Sequence, residues 1–157
     1  MSEKEIRILA VASGGGHWVQ LLRLRPAFEG HRVAFVTVRA SYKTDVGDVP
    51  FYLVNDATRW DKFGLVRMCL RLLLIILRER PKIIISTGAA PGYFAIRFGK
   101  LLGARTIWLD SIANVEEVSM TGRLVRKHAD LWLTQWPHLA AGPETGDDAP
   151  RCLGAVL

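Results

Sequence analysis

Cysteine is scarce in this sequence: Cys69 and Cys152 stand far apart and match no metal-ligand spacing. A disulfide framework and a metal site are therefore not expected, and both residues are predicted to be reduced thiols, Cys69 buried on a helix. Long hydrophobic runs are missing too. The oiliest stretch, Phe63 to Leu77, is interrupted by Arg67 and Arg71, and falls short of the roughly 18 uninterrupted apolar residues a spanning helix needs. Residues 1–5 are polar and the first apolar run is short, so no secretory signal is expected. Nucleotide fingerprints are incomplete. Gly14-x-Gly16 is followed by Val19 where a dinucleotide loop has its third small residue, and no acid follows Thr37-Val38-Arg39 to hold a ribose. No Gly-Lys-Ser/Thr ending makes the run an ATP-type loop. NAD is disfavoured, while Arg39 leaves an NADP-binding reductase as an alternative.

What is present suits one globular domain over 1–157: half of the 157 residues are hydrophobic and 23% are charged. Twenty-one basic residues against 15 acidic ones give a net charge of +6, which favours anionic partners: lipid headgroups, phosphorylated substrates or nucleic acid. Nucleic acid is the least suited of these, because the basic residues sit on an oily helix rather than among stacking aromatics.

Apolar strand-like runs alternate with helical segments. Strands are predicted at residues 6–12, 32–38, 51–54, 82–87, 106–110 and 131–134. Helices are predicted from Trp18 to Pro26, Trp60 to Arg80, Tyr93 to Leu102 and Thr121 to His128. Residues 39–48 and the acidic stretch 142–150 read as loops, and Cys152 to Leu157 as a last edge strand or a disordered end. This alternation predicts an α/β, Rossmann-like parallel sheet flanked by helices.

Two small-residue loops fall at strand-to-helix turns. Ser13, Gly14, Gly15 and Gly16 precede His17, and Gly88, Ala89, Ala90 and Gly92 form the second loop with Pro91. Backbone amides at the positive end of a helix are a seat for phosphate. The competing structural readings are a tight connection for the first loop and close packing of helix on sheet for the second. His17 is the candidate general base, with a first-turn structural histidine as the competing reading. On the long helix, Phe63, Val66, Leu70, Leu73, Leu74 and Leu77 form a stripe expected to face the core. Leu65, Leu72, Ile75 and Ile76 extend it round the helix, and with Arg67 and Arg71 this surplus suits an anionic membrane surface.

The block from Trp108 to Leu124, with Asp110-Ser111-Ile112-Ala113-Asn114-Val115-Glu116-Glu117-Val118-Ser119 at its centre, continues through Ala129-Asp130 to Gln135-Trp136-Pro137. With Ser-Gly-Gly-Gly-His and Thr-Gly-Ala-Ala-Pro-Gly, it resembles the membrane-associated, acceptor-side subunits of split UDP-sugar glycosyltransferases. These include the subunit that helps add the second N-acetylglucosamine to dolichol diphosphate, and bacterial relatives serving exopolysaccharide and capsule assembly. The resemblance covers nearly the whole chain. It implies the N-terminal half of a GT-B glycosyltransferase, with the acceptor diphosphate on Ser13 to Gly16 and on Gly88, Ala89, Ala90 and Gly92, and His17 as the catalytic residue. Asp110, Ser111, Glu116, Ser119, Arg123, Gln135 and Trp136 would form the acceptor cleft or the partner's docking face. The UDP-sugar donor would bind mainly to a catalytic partner subunit, with no tightly bound cofactor here.

The chain departs from the eukaryotic pattern in showing no N-terminal spanning stretch. A peripheral place on the cytoplasmic face of the membrane is therefore expected, through Arg67 and Arg71. The resemblance leaves a second reading, a recruitment module without chemistry of its own.

Overall fold

A computed structural model describes residues 5–142 and 146–156. In chain order the elements are β1 (Arg7–Val11), α1 (Gly16–Arg23), β2 (Arg32–Thr37), a short α2 (Lys43–Val46), β3 (Phe51–Leu53) and α3 (Lys62–Glu79). They continue as β4 (Ile83–Ser86), α4 (Ala89–Leu101), β5 (Arg105–Leu109), α5 (Met120–Val125), β6 (Leu131–Thr134) and β7 (Arg151–Cys152). The strands form one sheet in the order β3-β2-β1-β4-β5-β6-β7, and every neighbouring pair is parallel. Strand order reverses at β1, so the loops after β1 and β4 leave the same edge side by side.

The strand period of two divides the core. Leu9 and Val11 of β1 face α3 and α4, together with Val36, Ile84 and Trp108. Ile8 and Ala10 face the other layer, where Trp18, Leu21 and Phe28 cover them. The indole of Trp18 stacks on Tyr42, with ring centroids 4.9 Å apart, and its Nε1–H donates to Asp45. That contact orders residues 39–48, expected to be a plain loop, into a 3-10 turn and α2, with Val46 buried.

Three other expectations change. α4 begins at Ala89, so Ala90, Pro91 and Gly92 lie in its first turn rather than in a preceding loop. α5 ends at Val125, where the backbone turns so that the His128 carbonyl accepts from the Thr106 hydroxyl. The largest change is on α3. The predicted core stripe is inverted: Phe63, Val66, Leu70, Leu74 and Leu77 are 49% to 92% exposed, while Met68, Leu72, Ile75 and Ile76 are buried. Both faces are apolar, so hydrophobicity alone does not distinguish them. The buried set contributes to the cluster containing Leu9, Val11 and Ile96.

Cys69 and Cys152 are half-buried free thiols, and burial pushes the Cys69 thiol up from its ordinary value. Cys152 lies on the edge strand β7. Residues 143–145 of the predicted acidic loop, and Leu157, lie outside the described residues.

Candidate functional site

The two glycine-bearing turns are fastened to each other through a pair of reciprocal hydrogen bonds. The His17 ring donates from Nδ1 to the Thr87 carbonyl at 2.9 Å, and the Thr87 hydroxyl donates to the His17 carbonyl at 2.6 Å. A carbonyl only accepts, so Nδ1 carries the proton and Nε2 of the neutral ring carries the lone pair. Gly88 makes this placement possible. Its φ is 144°, and an added Cβ would come within 2.3 Å of His17 Nδ1.

Gly15 and Gly88 are the N-caps of α1 and α4, and neither helix has a side-chain cap or an acid in its first turn. By contrast, Asp61 caps α3 by accepting from Gly64 N–H, and Ser119 caps α5 by accepting from Gly122 N–H. Two helix N-termini therefore open on the same sheet edge with first-turn amides directed outward, the arrangement that favours an anion.

The individual loop residues divide by role. Gly15 N–H already donates to the Tyr42 hydroxyl, and the Ser13 carbonyl accepts from Thr37. Gly16 is exposed, with open space where a Cβ would stand. Ala89 and Ala90 are half-buried in the first turn of α4, and Ala89 holds a φ of 65°. Gly92 is buried against Ser86, whose Oγ would lie 1.9 Å from an added Cβ, so its smallness lets α4 approach β4.

The Asp110 block is an internal brace. Asp110 is 2% exposed. Its carboxylate accepts from Trp108 Nε1–H, from Asn114 Nδ2–H, and from both the amide and hydroxyl of Ser119. Four donors thus draw residues 111–119 into a tight turn at the end of β5. The Ser111 hydroxyl accepts from Gln20 Nε2–H and from Ala113 N–H. Gln20 Oε1 in turn accepts from Ile112 N–H and from Gln135, whose amide also donates to the Asp110 carbonyl. Trp136 Nε1–H donates to the Ile112 carbonyl, and His138 donates to that of Val115. Glu116 is exposed on this turn, while Glu117 and Arg123 form an exposed ion pair at 3.0 Å.

Arg67 is exposed, whereas the Arg71 Nε–H donates to the Leu53 carbonyl and so is anchored to the end of β3. Before α3, exposed Trp60 carries the Arg59 guanidinium 4.6 Å from its ring centroid. Among the described residues no helix is long and apolar enough to cross a membrane.

Three residues at this edge were missed as site members. Gln20 joins α1 to the Asp110 turn, and its place on the His17, Gln20, Leu21, Leu24 face was a readable signal. The Tyr42 hydroxyl accepts the Gly15 N–H through a tertiary contact, which spacing does not reveal. Arg39, singled out only for a nucleotide, lies across the first loop, its Nε 3.0 Å from where a Gly14 Cβ would stand.

Comparisons with known proteins agree with this architecture. The family described as "Oligosaccharide biosynthesis protein Alg14 like" matches residues 54–145. A 72-residue stretch, 42% of this chain, is 31% identical to the UDP-N-acetylglucosamine transferase subunit ALG14 of Yarrowia lipolytica, and spans 33% of that protein. The chain thus covers about a third of this curated relative. Among solved structures, MurG of Acinetobacter baumannii superposes with a TM-score of 0.72 at 12% identity, over 88% of this chain and 44% of that one. A UDP-N-acetylglucosamine 2-epimerase of Rickettsia bellii superposes with a TM-score of 0.66 at 12% identity, over 86% of this chain and 40% of that one. The shared architecture is therefore the fold of under half of each of those longer chains.

Proposed function

The chain belongs to the Alg14-like family of oligosaccharide-biosynthesis proteins, and on that premise we propose that it is the acceptor-side subunit of a two-chain UDP-sugar transferase. Its acceptor is a sugar linked to a polyprenyl diphosphate, in oligosaccharide or exopolysaccharide assembly. The observation that carries this reading is the pair of uncapped helix N-termini, Gly15–Gly16 and Gly88–Ala89, joined across one sheet edge by His17 and Thr87. Two such termini suit a diphosphate, and Arg39 adds a full positive charge over the first loop.

His17 supplies the chemistry in this reading. Its Nδ1–H is held by the Thr87 carbonyl, so Nε2 takes the proton of the acceptor hydroxyl as that oxygen attacks the anomeric carbon. The new C–O bond forms as the bond to UDP breaks, with inversion, and the nucleotide leaves on the partner subunit. UDP-N-acetylglucosamine is the first donor to test, because the Yarrowia relative is named for that transfer. The braced turn from Asp110 to Ser119, with exposed Glu116 and the Arg123–Glu117 pair, supplies the cleft wall or the partner's docking face. The exposed apolar face of α3, with Trp60, Arg59 and Arg67, rests on the membrane that holds the lipid acceptor.

Co-expression with a donor-binding subunit, followed by transfer from UDP-N-acetylglucosamine to a polyprenyl-diphosphate-linked sugar, tests the proposal. Transfer is expected from the pair only, and full activity of this chain alone overturns the two-chain reading. His17→Ala is expected to lower turnover by about 10²-fold or more, the scale of general-base catalysis, while partner capture persists. Normal turnover in that variant favours the other reading, a recruitment module without chemistry of its own.

A further inference from the structure

The opposite edge of the sheet carries a second cationic surface, away from the glycine loops. β2, β1, β4 and β5 lie side by side, and Arg32, Arg7, Lys82 and Arg105 stand at or immediately before their first residues. Backbone bonds join the row: Arg32 N–H donates to the Ile6 carbonyl, Lys82 N–H to that of Arg7, and Arg105 N–H to that of Lys82. With strands about 4.8 Å apart, the four strand ends span about 14 Å; Arg7, Arg32 and Lys82 share the α3 face of the sheet, and Arg105, in register with Ile83, lies on the other face. All are exposed, and the C-terminal end of α3 adds exposed Arg78 and Arg80. Among the described residues, none of the six is in an ion pair.

Acids do not cancel this charge. Glu5 and Glu79 line clefts shared with Arg7 and Arg32, two acids against six cations, and Glu79 accepts the Tyr52 hydroxyl. Asp130, just before β6, is already paired with Lys100. Like charges placed opposite one another on neighbouring strands repel, as Arg7 and Arg32 do here, so the row costs the fold stability.

The ledge also has an apolar neighbour. A cleft of about 390 Å³ is lined by Arg7, Arg80 and Lys82 together with Leu77, Pro81 and Leu102. Leu77 is also the last member of the exposed α3 face. Cations and an apolar strip some 21 Å long, by helix rise over Phe63 to Leu77, therefore meet in one continuous surface. A soluble polyanion would cover the cations and leave that strip in water, whereas a bilayer interface covers both.

We infer that this ledge binds the phosphate headgroups of acidic phospholipids, as a contact separate from the acceptor edge, and draws the C-terminal end of α3 onto the bilayer. The inference rests on the membrane reading of α3, and the test separates the two. Flotation of the full chain compares phosphatidylcholine vesicles with vesicles that also contain phosphatidylglycerol. Replacing Arg7→Gln, Arg80→Asn and Lys82→Gln together is expected to weaken binding to the anionic vesicles about a hundredfold, roughly fivefold per basic residue at a charged surface. Binding to neutral vesicles is expected to stay unchanged and the melting temperature not to fall, since the Arg7–Arg32 repulsion is relieved, and Arg7→Lys with Arg80→Lys is expected to retain anionic binding.

Leu70→Ser with Leu74→Ser is expected to weaken binding to both kinds of vesicle. If it weakens neither, the α3 reading fails while loss in the ledge variant still supports the ledge. Undiminished anionic binding by the ledge variant overturns the inference, whatever α3 does. Titration with inorganic phosphate and with polyglutamate tests the soluble sources. Tight binding of either that the ledge variant loses, without any preference for anionic vesicles, overturns the lipid assignment.

Discussion

Gly88 holds a φ of 144° beside the imidazole of His17, which occupies the space a Cβ would need. Gly88→Ala is therefore expected to destabilise the fold by about 1–3 kcal/mol through backbone strain and to dislodge the ring. Chemical denaturation measures the first effect, and loss of transfer with partner binding intact measures the second. Asp110 makes a different kind of claim. Its buried carboxylate satisfies four donors, so Asp110→Ala leaves them unpaired and is expected to cost about 3 kcal/mol or more, read as a fall in denaturation midpoint. The positions of both glycine loops and of His17 at the sheet edge were legible in the sequence, because small residues between a strand and a helix mark a tight turn. Asp110 was legible as a position, but its role as an internal brace was not, since its donors come from Trp108, Asn114 and Ser119 through the geometry of the turn.

Among the elements, α3 separates what patterning reveals from what packing decides. Apolar residues occupy both of its faces, and the stripe with the clearer helical spacing is the one left exposed. Substituting the two faces in turn tests this directly. Met68→Ala or Leu72→Ala is expected to cost about 2–5 kcal/mol, as for other fully buried side chains. Leu70→Ser with Leu74→Ser is expected to change stability by no more than about 0.5 kcal/mol at each exposed site. The opposite ranking in thermal unfolding would return the outer stripe to the core. α1 and α4 make the complementary point: their N-termini were expected at the ligand edge, but the contrast with Asp61 on α3 and Ser119 on α5 emerges only from hydrogen bonding.

For the molecule as a whole, two titrations act in the same direction. Burial first, then the Arg97 and Lys127 charges, holds the His128 imidazole below its ordinary value. The hydrogen bond from Lys100 does most to hold the Asp130 carboxyl below its own, with Thr106 adding to it. In each case the unfolded chain binds the proton more readily than the folded one, so stability is greatest above the unfolded value and declines as pH falls toward the folded one. The histidine contribution is expected to fade below about pH 6.5 and the aspartate contribution below about pH 3.9. Urea unfolding across that range is expected to show a flatter upper decline in His128→Gln and a flatter lower one in Asp130→Asn. A slope unchanged by either substitution would remove these residues from the acid response.

The order of strands and helices, the parallel sheet and the two glycine-bearing turns at its edge followed from the sequence, because local periodicity and glycine placement are short-range properties. Which face of α3 enters the core, what Asp110 holds, and the alignment of Arg7, Arg32, Lys82 and Arg105 along one edge were decided by tertiary structure. Each depends on groups distant in the chain meeting across the sheet, and strand order brings them together.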